Sequence, residues 1–393
     1  MRLATALVLI ATAPALCQDD ALVLRAFEQP PTGQAMGVGP QGVRVRSPQG
    51  DVVVVGWDRV LAVPAALREA ADPFQGLAVD TWRARTRMER GDLILAEPLL
   101  QAVFEAAQAE GRQLRGPTGL VVAEGLLRCR LARGAGAAAI EPWLAWLDAA
   151  IVRQPRTTFA NRAWATDVGL PAAIDPSSEL SPQLPPIWLA SPSLTLVLQL
   201  EATEGERDKA TAMRVLYQAA ARHELGQRVD TLPDVPREAS VELVRDIVAA
   251  RVLDDDARAG ARARLESALT SASTPWMEAW ILAAIGRSLV LEAAEEDRLR
   301  GVAQLLRVHV LHRAGSPHLA DICVAEAAAT LHALGQRDAA SALVKELSSE
   351  QAAPGLRSQV LSWPGLAELL DGSLPDTPAP GQRDDSATDG GSP

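Results

Sequence analysis

Lysine is nearly missing from this chain: Lys209 and Lys345 are the only two, and the other basic residues among its 38 are arginines that never gather into a run. Nothing can therefore track a phosphate backbone, which argues against nucleic-acid binding. Acidic residues outnumber basic ones by 49 to 38, a net charge of −11, and that mixed surface is chiefly a statement about solubility. Aromatics are only 4% of residues, with Tyr217 the sole tyrosine, while hydrophobic residues reach 48% with much alanine. Such a composition favours closely packed helices. Beyond the N-terminus no apolar run approaches the roughly 18 residues of a membrane span. Also absent are HExxH, CxxC, a Walker A loop, GxSxG, and GxGxxG after a strand. His223-Glu224 begins like a zinc-protease motif, but Gln227 stands where a second histidine is required, so the pair is read as a helix end before Gly226.

What is present starts with MRLATALVLIATAPALC. Arg2, the apolar run from Leu3 to Ala13, and the small residues Ala15 and Cys17 have the layout of a secretory signal peptide over 1–17. Cleavage before Gln18 is the reading, with lipid anchoring through Cys17 as the alternative, and the expected location is periplasmic or extracellular. Cys129 and Cys323 lie in apolar helix-like runs and are read as small buried hydrophobes.

The composition then divides the chain. Residues 18–63 form a small β module, an SH3-like hairpin or barrel, in which Val43 and Val45 alternate with Arg44 and Arg46. Val52 to Val55 suits a central strand, ALVLRAF at 21–27 is a possible first strand, and Trp57 is the large apolar anchor. Residues 64–153 and 203–370 carry apolar residues at helical spacing and form two helical blocks. Between them, 154–202 is rich in proline and therefore extended, and Trp164, Ile187 and Trp188 are expected to pin it against helices. The acidic tail 371–393 has almost no apolar content and is read as disordered.

LHALGQRDAASALVKEL (331–347) aligns with RMERGDLILAEPLLQAV (87–103), placing Gly335 on Gly91, Ala340 on Ala96, Leu343 on Leu99 and Leu347 on Val103. A glycine ends one helix sharply, a small residue lets the next approach, and later apolar positions fill the seam. ARGAGAAAIEPWLAW repeats the scheme, with Pro98 and Pro142 expected near a first helical turn or at a kink. Counting Gly335 as the fifteenth position puts Ala328 on the eighth and Ala340 on the twentieth, which resembles the tetratricopeptide unit of about 34 residues. The order of signal peptide, β module and alanine-rich helix pairs also resembles secreted bacterial proteins of that kind. The resemblance implies a mostly α fold, a right-handed stack of antiparallel helix pairs (a TPR-like α-solenoid), and brings no catalytic residues or cofactor with it.

Candidate sites are few. His309, His312 and His318 are weak metal candidates against the more ordinary roles of helix-end charge and packing. Acidic runs at 254–256 and 295–297 read as caps and first-turn charges. Trp164, Asp175 and Trp188 are the partner-binding candidates, because the proline-rich segment can fill a groove or meet a partner. The leading function is a non-catalytic exported scaffold binding a protein or peptide of unknown identity. The alternative is binding of carbohydrate or envelope polymer through exposed tryptophans, and a third reading, a hydrolase using Glu124 and Asp167, has no spacing in its favour.

Overall fold

A computed structural model of the chain describes residues 21–25, 29–109, 115–149, 173–202 and 205–348, together with Trp363 and Leu366. The signal-peptide assignment, Cys17, Trp164, Asp167 and the acidic tail lie outside the described residues. The protein is mostly helical with small antiparallel sheets near the N-terminus. It falls into two compact units, one drawing on 1–135, 139–177 and 201–210, the other on 136–138, 178–200 and 211–393.

In the first unit, β1 (Val23–Leu24) pairs antiparallel with β5 (Val60–Ala62), and β2 (Gln34–Gly39), β3 (Gly42–Arg46) and β4 (Val52–Val55) form a sheet in the order β2-β3-β4. The alternation in β3 is as expected: Val43 and Val45 are 0% and 2% exposed, whereas Arg44 and Arg46 face solvent. Val52 to Val55 is a strand but lies at the sheet edge, with Val52 53% and Val53 44% exposed. Its turn, Ser47–Gly50, pairs it back onto β3, while β3's other side is taken by β2, a glycine-containing strand that the pattern of β-branched residues does not mark. Trp57 is the anchor: it is buried, donates Nε1–H to the Gly39 carbonyl at 2.8 Å and stacks on Phe74 at 5.4 Å.

Helices α1 (Gln75–Glu89), α2 (Leu93–Ala109) and α3 (Gly116–Ala132) follow and enclose Met88, Leu100, Phe104, Val122 and Leu126. In α4 (Gly136–Ala149), Trp143 and Trp146 are fully buried. Pro98 and Pro142 sit inside α2 and α4, in the second turn rather than the first. The second unit contains most of α5 (Asp208–Glu224), then α6 (Ala239–Val252), α7 (Asp255–Leu269), α8 (Pro275–Leu289), α9 (Glu295–His312), α10 (Pro317–Ala333) and α11 (Arg337–Ser348). From α6 onward each helix packs on its successor.

The glycine turns behave alike. Gly91, Gly134, Gly226 and Gly335 have φ between +76° and +78°, and in each case the next amide bonds the carbonyl five residues back at 2.9 Å. That is the Schellman ending, which satisfies carbonyls a helix would otherwise leave open. Ala96 and Ala340 are then 0% exposed, and Val103 and Leu347 are buried. Elsewhere closeness is the demand: a Cβ on Gly286 of α8 would lie 2.8 Å from Leu305 Cγ and 3.0 Å from the Gly301 carbonyl of α9. Of the acidic runs, the first caps its helix, since Asp254 Oδ1 accepts from Ala257 N at 3.0 Å, whereas Glu295, Glu296 and Asp297 lie in the first turn of α9, whose N-cap Ala294 makes no side-chain cap bond.

Candidate functional site: a proline-rich strap and the cleft beside it

Residues 178–200 run through the second unit as a largely irregular strap containing Pro182, Pro185, Pro186 and Pro192. Proline bars a helix over this stretch and leaves carbonyls without ladder partners, so burying the strap requires donors from elsewhere. Buried it is: Leu180, Leu184, Ile187, Leu194 and Val197 are each at most 2% exposed. The donors are side chains. Trp280 Nε1 bonds the Pro182 carbonyl at 3.0 Å, the Tyr217 hydroxyl bonds the Leu184 carbonyl, and Arg287 Nη2 bonds the Trp188 carbonyl at 2.9 Å. Trp280 and Arg287 are two turns apart and so share a face of α8. The Trp188 ring meets Tyr217 edge-on, with centroids 5.6 Å apart.

Arg287 is itself held in a buried network. Its Nη2 lies 3.0 Å from Glu224 Oε1 and its Nε bonds Glu326 Oε2, while Arg251 reaches Glu326 Oε1 at 2.9 Å and Glu224 Oε1 at 3.3 Å. Two guanidiniums thus face two carboxylates. Burial alone would pull the Arg287 pKa down, but Glu224 and Glu326 together hold it above its usual value. Burial would likewise raise Glu224, and Arg287 and Arg251 outweigh it, leaving that carboxyl below its usual 4.5. With Glu224 held ionised and locked in ion pairs, the network is a clamp on the strap rather than a proton donor.

Beside the strap lies a small cleft with about 40 Å³ of free space, lined by Leu184, Ile187, Trp188, Ser193, His318 and Ile322 among others, none of them charged. Burial lowers the His318 pKa to about 4, so its imidazole is neutral at pH 7. Its Nδ1 has no hydrogen-bond partner among the described residues.

The three candidate histidines are not brought together. His309 Nε2 lies 3.9 Å from Glu346 Oε1, His312 Nε2 lies 3.7 Å from Glu278 Oε1, and His318 is on the cleft wall. Among the described residues no group of three His, Cys, Asp or Glu side chains could hold a metal ion. Trp188 belongs to the strap, 8% exposed. Asp175, in the first unit, closes an Asx turn by accepting from Ser177 N at 2.9 Å. Trp164 is outside the described residues. Glu124 is fully buried in an ion pair with Arg128 Nη2 at 2.6 Å. Cys129 and Cys323 are buried free thiols, and burial pushes the former's pKa up to about 12. Every described tryptophan is buried or half-buried. Among the described residues no helix is long and apolar enough to cross a membrane.

Sequence reasoning missed Tyr217, Trp280, Arg287, Glu326 and Glu224 as the strap's seat. A signal exists: Arg287 and Glu326 are isolated charges within apolar helical runs, and such charges are rarely buried unless paired. No protein-family model, curated protein or solved structure matches the chain.

Proposed function

We propose that this chain is a non-catalytic exported scaffold that binds a protein or peptide partner on the strap-and-cleft surface of its second unit. The observation that carries the reading is the seating of the strap. Helices α5 and α8 already hold a proline-rich stretch by side-chain bonds to main-chain carbonyls, and a small uncharged cleft lies next to it. Helix-pair stacks of the tetratricopeptide kind use such surfaces for peptides, and the apolar leader supports a place in the envelope. The described tryptophans are buried or half-buried, and no specific contact favours a glycan platform.

The test is to immobilise residues 18–393 and pan them with a random-peptide phage library, in parallel with a Ser193→Arg variant whose longer side chain obstructs the cleft. Enrichment of peptides by the parent and its loss in the variant support the proposal. No enrichment, or equal enrichment by both proteins, overturns it.

A further inference from the structure

We propose that the first unit carries a separate partner surface, the free edge of β4, which takes an extended partner segment of alternating acidic and apolar residues as an added strand.

The register shows which backbone groups are free. Ser47 N bonds the Asp51 carbonyl at 2.7 Å, and the pairing then runs through Val45↔Val53 to Val43↔Val55. Opposed residues in an antiparallel ladder alternate between exchanging bonds and not. Val53 and Val55 therefore bond β3, while the N–H and C=O groups of Val52 and Val54 point outward. Among the described residues β4 pairs with β3 alone, so those groups have no strand partner. The opposite edge, β2, is broken by a register shift between Ala35 and Gly37, a device that blunts strand addition. β4 has no such shift, no proline and no charge of its own.

The side chains say what kind of strand fits. Alternation puts Val53 and Val55 on the face of Val43 and Val45, and Val52 and Val54 on the face of Arg44 and Arg46. Val53 is 44% exposed although Val45 opposite it is 2% exposed, so the apolar face ends unfinished at the edge. An apolar residue on an added strand would continue it. On the other face Arg46 is exposed between two uncharged neighbours, Gln34 on β2 and Val52 on β4. Neither Arg44 nor Arg46 has an ion-pair partner among the described residues. Arg44 lies back over Gly37, where a Cβ would be 3.1 Å from its Nη2, which leaves Arg46 as the cation beside the edge. An acidic residue on an added strand would stand two strand spacings from Arg46, about 10 Å, a gap that the two side chains together span.

Other occupants meet the edge less well. A second copy paired edge to edge faces valine with valine and brings Arg46 no acid. A proline-rich segment lacks the N–H groups that the Val52 and Val54 carbonyls would accept.

The experiment measures fluorescence anisotropy of the fluorescein-labelled octapeptides GEVEVEVG and GKVKVKVG titrated with residues 18–393, alongside sedimentation velocity of the protein alone. The acidic peptide is expected to bind saturably, about fivefold more tightly than the basic one, and Arg46→Glu should remove that preference. Val54→Pro deletes an outward N–H without touching a bond to β3 and should weaken binding at least about tenfold. Circular dichroism confirms that the variants are folded. Should Val54→Pro not fold, GEVEVEVG methylated on its internal backbone nitrogens makes the same test from the ligand side, and it should fail to bind. No binding of GEVEVEVG, equal binding of the two peptides, or binding that survives the proline variant or the methylation overturns the inference. Dimers that Val54→Pro abolishes, with no peptide bound, would assign the edge to a second copy and overturn it as well. None of these outcomes bears on the strap and cleft of the second unit.

Discussion

Replacing Arg287 by methionine should unseat the strap. The change removes the donor for the Trp188 carbonyl and the partner of Glu326 Oε2 and Glu224 Oε1, leaving two buried carboxylates to Arg251 alone. Breaking a buried ion pair by deleting one member costs about 3–5 kcal/mol, and an abandoned buried carbonyl about 1–3 kcal/mol more. These contributions share atoms and do not add, so the expected loss is roughly 4 kcal/mol, against a total of about 5–15 kcal/mol for an ordinary domain. Hydrogen exchange with mass spectrometry across a urea series reads it locally. Peptides from 178–200 should exchange faster and at lower urea, while peptides from β3 and β4 serve as the reference. A fourfold replacement, Arg251→Met, Arg287→Met, Glu224→Leu and Glu326→Leu, should recover much of the loss, since whole buried networks tolerate apolar substitution better than halves of them. A loss below about 1 kcal/mol in the single variant, with strap exchange unchanged, would refute the clamp.

Tyr217→Phe should cost about 1–3 kcal/mol by orphaning the buried Leu184 carbonyl, seen as a lower denaturant midpoint. Gly286→Val should lower the melting temperature, at about 1–3 kcal/mol or more, because its first side-chain carbon already overlaps Leu305. Since Glu224 ionises below its usual 4.5 in the folded state, its stabilisation is complete above pH 4.5 and fades as pH falls through the folded value. Denaturant midpoints between pH 7 and 3 should show that loss, and Glu224→Gln should flatten it. His318 should titrate by NMR near 4 rather than 6.5, so the folded state loses stability as pH drops from 6.5 towards 4.

Local features were legible where one residue type has one physical use. Gly91 and Gly335 announce helix ends because the left-handed turn excludes most side chains, and Val43 with Val45 announces a buried face because side chains alternate along a strand. Strand β2 escaped because its glycines carry no β preference, and the edge position of β4 escaped because four valines look alike at an edge or in a centre. The strap was legible as a proline-rich segment drawn to helices through Ile187 and Trp188. Its seat was not, since the donors to its carbonyls come from 33, 98 and 99 residues away along the chain. Glu224, beside a histidine that invites a metal reading, is visible as an ion-pair partner only once α5, α8 and α10 are brought together.

Those separations also set an order of events during synthesis. Trp188 leaves the ribosome 99 residues before Arg287, a delay of roughly 5–20 s at ordinary elongation rates. For that interval the strap's leucines, Ile187 and Trp188 have no helix α8 to rest on, and a proline-rich stretch cannot shelter them in a helix of its own. The nascent chain therefore carries an exposed apolar stretch until α8 has been made. That interval is when a chaperone would have most to hold, and when a fault in α8 would leave the strap with nowhere to go.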